Sequence, residues 1–337
     1  MSLLAVTDLT VTFGRGRGRS TLAVDGLSFS LDEGETVGIV GESGCGKSVT
    51  ALAILGLLPR RRVTVDGSVV FDGRELLGAS EAELRRVRGR EIAMVFQDPM
   101  TSLNPVLTIG RQITEVLERH FGTNKTDART EAVRLLQQVG IPDAARRVQE
   151  YPHQLSGGMR QRAMIAIALA CQPKLLIADE PTTALDVTIQ AQILELLREL
   201  VVESNTALVL ITHDLGVVAG LCETVFVLYA GRLVEAAPRH DLFARARHPY
   251  TAGLLASVPR LDLPKGEPLH PIKGSPRDTI PWAEGCAFAP RCPREVPPCR
   301  TGPPPLGPAG DEWWHQVRCV NPVPVVSPTP SSTEPPS

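Results

Sequence analysis

A glycine-rich turn, Gly41-Glu42-Ser43-Gly44-Cys45-Gly46-Lys47-Ser48, follows a short apolar segment at 36–40 and precedes a helix-forming segment that begins near Val49. In the pattern G-x-x-x-x-G-K-S, the glycines let successive backbone N–H groups turn toward phosphate oxygens. The lysine then reaches the β- and γ-phosphates of a nucleotide, and the serine hydroxyl can ligate Mg²⁺. Because the whole pattern stands between a predicted strand and a predicted helix, it indicates a nucleotide-phosphate loop.

Further features follow this loop along the chain. In order, they are Gln97, then Leu155-Ser156-Gly157-Gly158-Met159 ahead of a helix-forming segment, then Asp179-Glu180 at the end of an apolar strand, and then His213. Taken singly, a Ser-Gly-Gly is usually a turn, an acidic pair is usually a solvated loop, and a histidine is usually structural. Independent turns and loops have no reason to form this series, so the series as a whole indicates a function.

The series resembles the nucleotide-binding subunits of ATP-binding-cassette transporters. The resemblance implies that Asp179 positions Mg²⁺ and its water, and that Glu180 acts as general base or orients the water that attacks the γ-phosphate of ATP. It implies a γ-phosphate contact for His213 and a contact with the Mg²⁺ site for Gln97. Phe13 stands where the family places an aromatic ring on the adenine, and an ordinary strand aromatic is the alternative.

The same resemblance implies a site shared between two subunits. Ser156, Gly157 and Gly158 of one subunit would grip the γ-phosphate held by the other, because the helix after them directs its positive N-terminal end there. The segment Ala184-Leu185-Asp186 would couple the two sites. The predicted nucleotide-binding residues are Phe13, Gly41, Ser43, Gly44, Cys45, Gly46, Lys47, Ser48, Val49, Ser156, Gly157, Gly158 and Asp186. The predicted Mg²⁺ residues are Ser48, Gln97 and Asp179, and the predicted catalytic residues are Glu180, His213 and Gln97.

Three segments outside these motifs resemble the ATP-binding subunits of oligopeptide, dipeptide and nickel importers. They are Asp98-Pro99-Met100-Thr101-Ser102-Leu103-Asn104-Pro105, His248-Pro249-Tyr250-Thr251 and Gly285-Cys286-Ala287-Phe288-Ala289-Pro290-Arg291-Cys292-Pro293. The resemblance implies two transmembrane permease subunits, a second cassette subunit of the same or a different chain, and an extracytoplasmic substrate-binding protein. It implies a peripheral location on the cytoplasmic face of the inner membrane. Peptide is the expected cargo, and nickel or another small solute is the alternative.

Composition and charge bear on the class of protein. The 337 residues carry a formal net charge of −2 and a pI near 6.4, so the chain lacks the excess of positive charge that is typical of nucleic-acid-binding proteins. No apolar run approaches the ~20 residues that cross a bilayer, and residues 1–5 lack a secretory signal. We therefore expect a membrane role only through partners. A soluble ATPase acting on nucleic acid is the distant alternative, but such proteins need long insertions within the cassette, where this chain has only a helical subdomain.

The periodicity of apolar residues predicts the fold class. Alternation over 4–13 and 22–31 predicts an antiparallel hairpin around an arginine–glycine loop, and 108–139 is helical in pattern. We predict an α/β P-loop NTPase cassette with a RecA-like core, an antiparallel β subdomain, an α-helical subdomain and a small Cys-containing C-terminal extension. The predicted domains are a core at 1–97 and 170–240, a helical subdomain at 98–169, the extension at 241–320 and a disordered tail at 321–337.

The extension carries a second chemical signal. Four of the seven cysteines lie in one Pro-rich segment with few apolar residues, namely Cys286, Cys292, Cys299 and Cys319. Structural disulfides are disfavoured in a reducing cytosol, so a metal centre is the better account of these cysteines. The gaps between them are wider than the paired spacing typical of zinc, and four thiolates from irregular loops suit an iron–sulfur cluster. We expect a [4Fe–4S] cluster, with zinc or free thiols as alternatives.

Overall fold

The computed structural model describes residues 2–14, 20–183, 185–258 and 271–324. Most of the expected arginine–glycine loop, Ala184 and most of the expected disordered tail lie outside these ranges. The chain forms two compact units, Met1–Leu233 and Val234–Ser337. The division between the units falls seven residues before the start of the extension predicted at 241.

The first unit contains an antiparallel and a parallel sheet. Its strands are β1 (Leu4–Phe13), β2 (Thr21–Leu31), β3 (Thr36–Val40), β4 (Val63–Phe71), β5 (Arg74–Glu75), β6 (Ile92–Val95), β7 (Leu175–Asp179), β8 (Ala207–Thr212) and β9 (Thr224–Tyr229). The antiparallel sheet has the order β2-β1-β4-β5, and the parallel strands have the order β9-β3-β8-β7-β6. The predicted hairpin is therefore the β1–β2 pair, to which β4 adds on the other side of β1.

The parallel strands lie at the centre of the first unit. Every residue of β7 and β8 is buried, as expected for a sheet covered on both faces, where strands form continuous apolar runs. β3 pairs with β8, and β8 pairs with β7, all in parallel. The carboxyl ends of these neighbouring strands meet at one edge of the sheet, so the loops that follow Val40, Asp179 and Thr212 lie together.

Helices cover this sheet and form the helical subdomain. They are α1 (Lys47–Ile54), α2 (Glu81–Val87), α3 (Pro99–Ser102), α4 (Ile109–Phe121), α5 (Lys125–Gln138), α6 (Ala144–Arg147), α7 (Gly157–Leu169), α8 (Val187–Ser204) and α9 (Leu215–Leu221). Side chains at the N-caps set where several helices begin: Thr108 accepts from Arg111 N–H before α4, and Asn124 accepts from Asp127 N–H before α5. α4, α5 and α7 pack on one another.

The second unit is a small mixed fold. It contains β10 (Arg232–Pro238), α10 (Arg239–Arg245), α11 (Pro249–Ala256), β11 (Gly307–Ala309) and β12 (Glu312–Val317), with β10 starting two residues before the unit boundary. β12 pairs antiparallel with β10 on one side and with β11 on the other. Short 3-10 turns at Ala289–Arg291 and Pro297–Arg300 carry much of the cysteine segment. Among the helices described in either unit, none has both the length and the apolar character needed to span a bilayer.

Candidate nucleotide-binding and hydrolysis site

The phosphate loop joins the end of β3 to the start of α1. Gly44 and Gly46 have φ of +81° and +102°, and a Cβ at Gly46 would lie 2.5 Å from the carbonyl oxygen of Ala23. Glycine is therefore required at Gly46 by both conformation and space. Lys47 is only 4% exposed, and its Nζ donates to the carbonyls of Gly41 (2.7 Å) and Glu42 (3.1 Å).

The remaining loop residues have less specific surroundings. Ser43 and Gly44 form the exposed tip of the turn, and Val49 lies in the first turn of α1. Cys45 is buried, its Sγ is 3.9 Å from Lys47 Nζ, and burial raises the pKa of its thiol. A buried thiol with a raised pKa is a poor nucleophile, which agrees with a packing role for this cysteine.

A hydroxyl and a carboxylate meet beside the loop. Ser48 Oγ, in the first turn of α1, donates to Asp179 Oδ1 at 2.9 Å. Burial raises the pKa of Asp179, the neighbouring charge of Glu180 raises it further, and the Ser48 hydrogen bond and Lys47 lower it. Hard oxygen donors of this kind are the ligands that Mg²⁺ prefers. Of the three residues predicted for the Mg²⁺ site, Ser48 and Asp179 are in direct contact.

The third, Gln97, contacts the second acidic residue. Three side chains converge on Glu180 Oε2: Gln97 Nε2 at 3.1 Å, Thr183 Oγ1 at 2.9 Å and His213 Nδ1 at 3.4 Å. The side chain of Glu180 is 13% exposed and that of His213 is 61% exposed. All three predicted catalytic residues are therefore brought together. Thr183 was missed, because a threonine after Glu-Pro-Thr carries no sequence signal of a contact with Glu180.

The predicted residues of the shared site have other contacts within this chain. Ser156 is the N-cap of α7, where its Oγ accepts from Met159 N–H, and a Cβ on Gly158 would meet Ile189 at 2.9 Å. Gly157, at the first position of α7, is exposed. Asp186 is the N-cap of α8, accepting from Ile189 N–H at 3.0 Å. The turn at residues 156–158 thus lies against the start of α8, and the N-terminus of α7 faces outward.

Phe13 closes β1 at one margin of the antiparallel sheet. Its neighbours across the sheet are Thr21 on β2 and Val63 on β4. The side chain is partly exposed.

The four cysteines of the second unit lie near one another. The pKa of Cys286 is raised to about 11 and that of Cys319 to about 12, mainly by burial and in smaller part by the other thiols of the group. The pKa of Cys292 is raised in the same way. Within the described ranges, however, no three His, Cys, Asp or Glu side chains are arranged so that they could hold a metal ion. The prediction of an iron–sulfur or zinc centre is therefore not supported by this structure.

The fold and the site together define a class of protein. A parallel sheet carries a phosphate loop after β3, a Ser48–Asp179 pair beside it and a carboxylate, Glu180, held by a glutamine and a histidine from separate loops. This is the arrangement of a P-loop nucleotide hydrolase.

Comparisons with known proteins specify the family. Residues 24–183 match the family described as "ABC transporter", and residues 234–299 match "Oligopeptide/dipeptide transporter, C-terminal region". The oligopeptide transport ATP-binding protein OppD of Salmonella typhimurium is 54% identical over 302 residues, which are 90% of this chain and 89% of that protein. The dipeptide transport ATP-binding protein DppD of Bacillus subtilis is 53% identical over 298 residues, 88% of each chain.

A solved structure agrees with this assignment. The ATP-binding cassette MJ0796, a dimer in a post-hydrolysis state bound to ADP and Pi, superposes with a TM-score of 0.63 at 30% identity, covering 70% of this chain and 98% of that one. This chain belongs to the family of ATP-binding subunits of ABC transporters and is an ATPase. The predicted α/β cassette fold is confirmed.

Proposed function

We propose that this chain is the ATP-hydrolysing subunit of a peptide importer. The convergence of Gln97, His213 and Thr183 on Glu180, beside the Ser48–Asp179 pair, carries the catalytic part of the proposal. The relatives named for oligopeptide and dipeptide transport, which align over about nine-tenths of the chain, support peptide as cargo. Nickel or another small solute is the alternative cargo, because no side chain of an ATP-binding subunit need touch the solute.

Different residues of the site would bind the phosphates, hold Mg²⁺ and activate the attacking water. The backbone N–H groups of the phosphate loop and Lys47 would bind the β- and γ-phosphates, and His213 would contact the γ-phosphate. Glu180 would orient a water and accept its proton as the water oxygen bonds to the γ-phosphorus and the bond to ADP breaks. Ser48 and Asp179 would hold Mg²⁺, with Gln97 nearby. When bound, Mg²⁺ neutralises charge on the phosphates.

A second cassette subunit would complete the site. Ser156 and the two glycines after it stand at the outward-facing N-terminus of α7, whose 13 residues give a helix dipole able to bind an anion. A second subunit, identical or different, would present its nucleotide to this turn, and Asp186 at the start of α8 would lie between the two sites. The dimeric state of the cassette MJ0796 supports this arrangement.

A groove on the first unit would bind a membrane subunit. It is a cavity of about 490 Å³ between β6, α4 and α7, lined mostly by apolar side chains, including Phe96, Leu103, Leu107, Val116 and Met164, with charged side chains from Arg88, Glu115 and Arg119. Such a surface fits an amphipathic helix that lays its apolar face into it. Because Phe96 directly precedes Gln97, a helix bound here would touch the chain next to the catalytic carboxylate. Nucleotide state and permease conformation would be coupled through that contact.

The cysteines of the second unit would bind a metal centre. We propose that Cys286, Cys292, Cys299 and Cys319 ligate a [4Fe–4S] cluster, with zinc as the alternative. The observation in favour is that these thiols lie close enough to one another to interact electrostatically, so that a cationic centre among them would offset the repulsion between the thiolates. Iron, zinc and acid-labile sulfide would be measured on anaerobically purified protein. About four irons and four sulfides per chain is the expected result, and absence of both rules out the cluster.

The function is tested by isolating the protein with its partners. The tagged chain would be purified from its own membranes in mild detergent, and the proteins recovered with it would be identified. We expect to recover two multi-spanning subunits and a second cassette. In vesicles, the ATP hydrolysis of this complex should rise when peptide and a binding protein are added, but not when nickel is added. Peripheral attachment to the cytoplasmic face follows if washing at alkaline pH releases the chain from inside-out vesicles. Recovery of nucleic acid, or of no membrane protein in several detergents, would contradict the proposal.

The groove has its own test in the same preparation. Val116 lies part-exposed on α4 in the groove, and Val202 on α8 is 71% exposed and does not line it. Val116→Glu should abolish recovery of the membrane subunits while ATP binding persists, because a carboxylate cannot be buried against an apolar helix. Val202→Glu is the matched control and should leave recovery unchanged. Equal recovery with both variants would exclude this groove as the docking site.

A further inference from the structure

Thr183 lies in the turn that follows the acidic pair. Its hydroxyl Oγ1 donates to Glu180 Oε2 at 2.9 Å, which is shorter than the contacts from Gln97 and His213 to the same oxygen. A hydrogen bond to a carboxylate is stronger than one between neutral groups. Neither the sequence motifs nor the roles assigned above give this threonine a part in hydrolysis.

The backbone holds Thr183 in place relative to Glu180. Thr183 N–H donates to the carbonyl of Glu180 at 3.2 Å, which closes a four-residue turn with Pro181 at its second position. Proline pre-sets the φ that this position needs. Glu180 itself has φ of +44°, a left-handed conformation that is uncommon for a residue with a side chain, and its N–H donates to Ile211 of β8 at 2.8 Å.

The other two donors come from more exposed settings, in loops outside the turn. Gln97 is exposed in the loop after β6, and His213 is 61% exposed in the loop after β8. Each can leave Glu180 without disturbing the turn, whereas Thr183 moves with Glu180 because both belong to it. In the described ranges, all hydrogen-bond and ion-pair contacts of the Glu180 carboxylate are made by Oε2. The remaining oxygen, Oε1, is the one left for a water.

We infer that Thr183 is a positioning residue for hydrolysis: its hydroxyl holds Oε2 of Glu180 so that Oε1 receives the proton of the attacking water. The inference rests on the proposed role of Glu180 as general base. Without the hydroxyl, the carboxylate can rotate, and either oxygen can turn away from the water. Removing the hydroxyl should therefore lower the rate of the chemical step and leave the affinity for ATP unchanged.

The test compares variants at neighbouring threonines in the full chain, purified with its membrane partners. Thr183→Val keeps the shape and removes the donor, and it should lower kcat about tenfold with KM changed less than about twofold. Thr183→Ser restores a hydroxyl and should bring kcat back within about twofold of the parent. Thr182→Val is the matched control, since Thr182 is 7% exposed and the hydrogen bonds that it accepts from Gln190 Nε2 and Leu185 N–H end on its carbonyl oxygen. It should change neither constant.

A Glu180→Gln background separates this inference from the proposed function. If Thr183→Val reduces residual hydrolysis no further in that background, the two residues act as one unit and the inference is supported. Normal hydrolysis by Glu180→Gln alone would overturn the role of the base. Arrest by Glu180→Gln with parental kcat in Thr183→Val would overturn only the positioning role. If Thr183→Val fails to fold, Thr183→Ala takes its place, and failure of serine to restore the rate then contradicts the inference.

Discussion

The two units each contain a contact between a glutamate and a histidine, and the two contacts differ in their surroundings. In the first unit, His213 lies 3.4 Å from Glu180, and the histidine is 61% exposed. In the second unit, His315 on β12 and Glu235 on β10 are 2.6 Å apart, and both side chains are completely buried. A loose, accessible pair can exchange partners with a ligand, whereas a short, buried pair holds a fold together. Residue type alone does not decide the role.

The buried pair is supported by the backbone around it. Glu235 accepts from the N–H groups of Arg247 (2.6 Å) and His248 (2.9 Å), which precede α11. The carboxylate thus joins β10, β12 and the start of α11. Removing it would leave a buried imidazole and two backbone donors without their partner, which is the costly way to break a buried pair.

The largest effect is expected from removing that carboxylate. Glu235→Leu should lower the free energy of unfolding of the second unit by about 3–5 kcal/mol. Urea titration monitored by tryptophan fluorescence would measure it, since Trp313 and Trp314 lie on β12. The control is Glu295→Ala, which breaks a solvent-accessible ion pair to Arg300 in the same unit, and which should leave the urea midpoint of unfolding nearly unchanged. A similar change in both variants would remove the distinction drawn between buried and exposed pairs.

A smaller effect is expected from acid. His248 is fully buried, and burial lowers its pKa from 6.5 to about 4. Between these values the unfolded chain binds a proton that the folded unit does not, so the free energy of unfolding is highest above pH 6.5 and falls as pH drops toward 4. The total fall from this group is about 3 kcal/mol.

The pH dependence can be assigned with one substitution. His248 Nδ1 caps α11 by accepting from Tyr250 N–H at 3.1 Å. Asparagine can also cap a helix but does not titrate, so His248→Asn should flatten the fall in stability between pH 6.5 and 4. Urea titrations of both proteins at several pH values would measure the difference. An unchanged slope in the variant would show that other groups cause the pH dependence.

The same contrast explains how much could be predicted from the sequence. The strands of the first unit were predictable because β7 and β8 are buried throughout and form unbroken apolar runs. The site was predictable as a set of motifs, since the phosphate loop follows β3 and the acidic pair lies at the carboxyl end of β7. Thr183 was not predictable, because its contact depends on the left-handed φ of Glu180 and on a turn.

The second unit was harder to predict for a physical reason. β11 has only three residues, and β12 exposes Trp313 on a strand whose His315 is buried, so no apolar alternation marks either strand. The Glu235–His315 pair joins residues 80 positions apart that carry no motif. The concentration of four cysteines in one Pro-rich segment predicted a metal centre, but thiols that lie near one another need not be arranged as ligands, and no such arrangement is found in the described ranges.

The central claim is that Glu180 performs the chemistry while the phosphate loop binds ATP. The most direct measurement is ATP binding and ATP hydrolysis by Glu180→Gln in the complex with its membrane partners, beside the parent protein. The account predicts unchanged ATP affinity and a rate at least about 100-fold lower, because the amide keeps the shape of the side chain but cannot accept a proton. Hydrolysis at the parental rate, or loss of ATP binding, would contradict it.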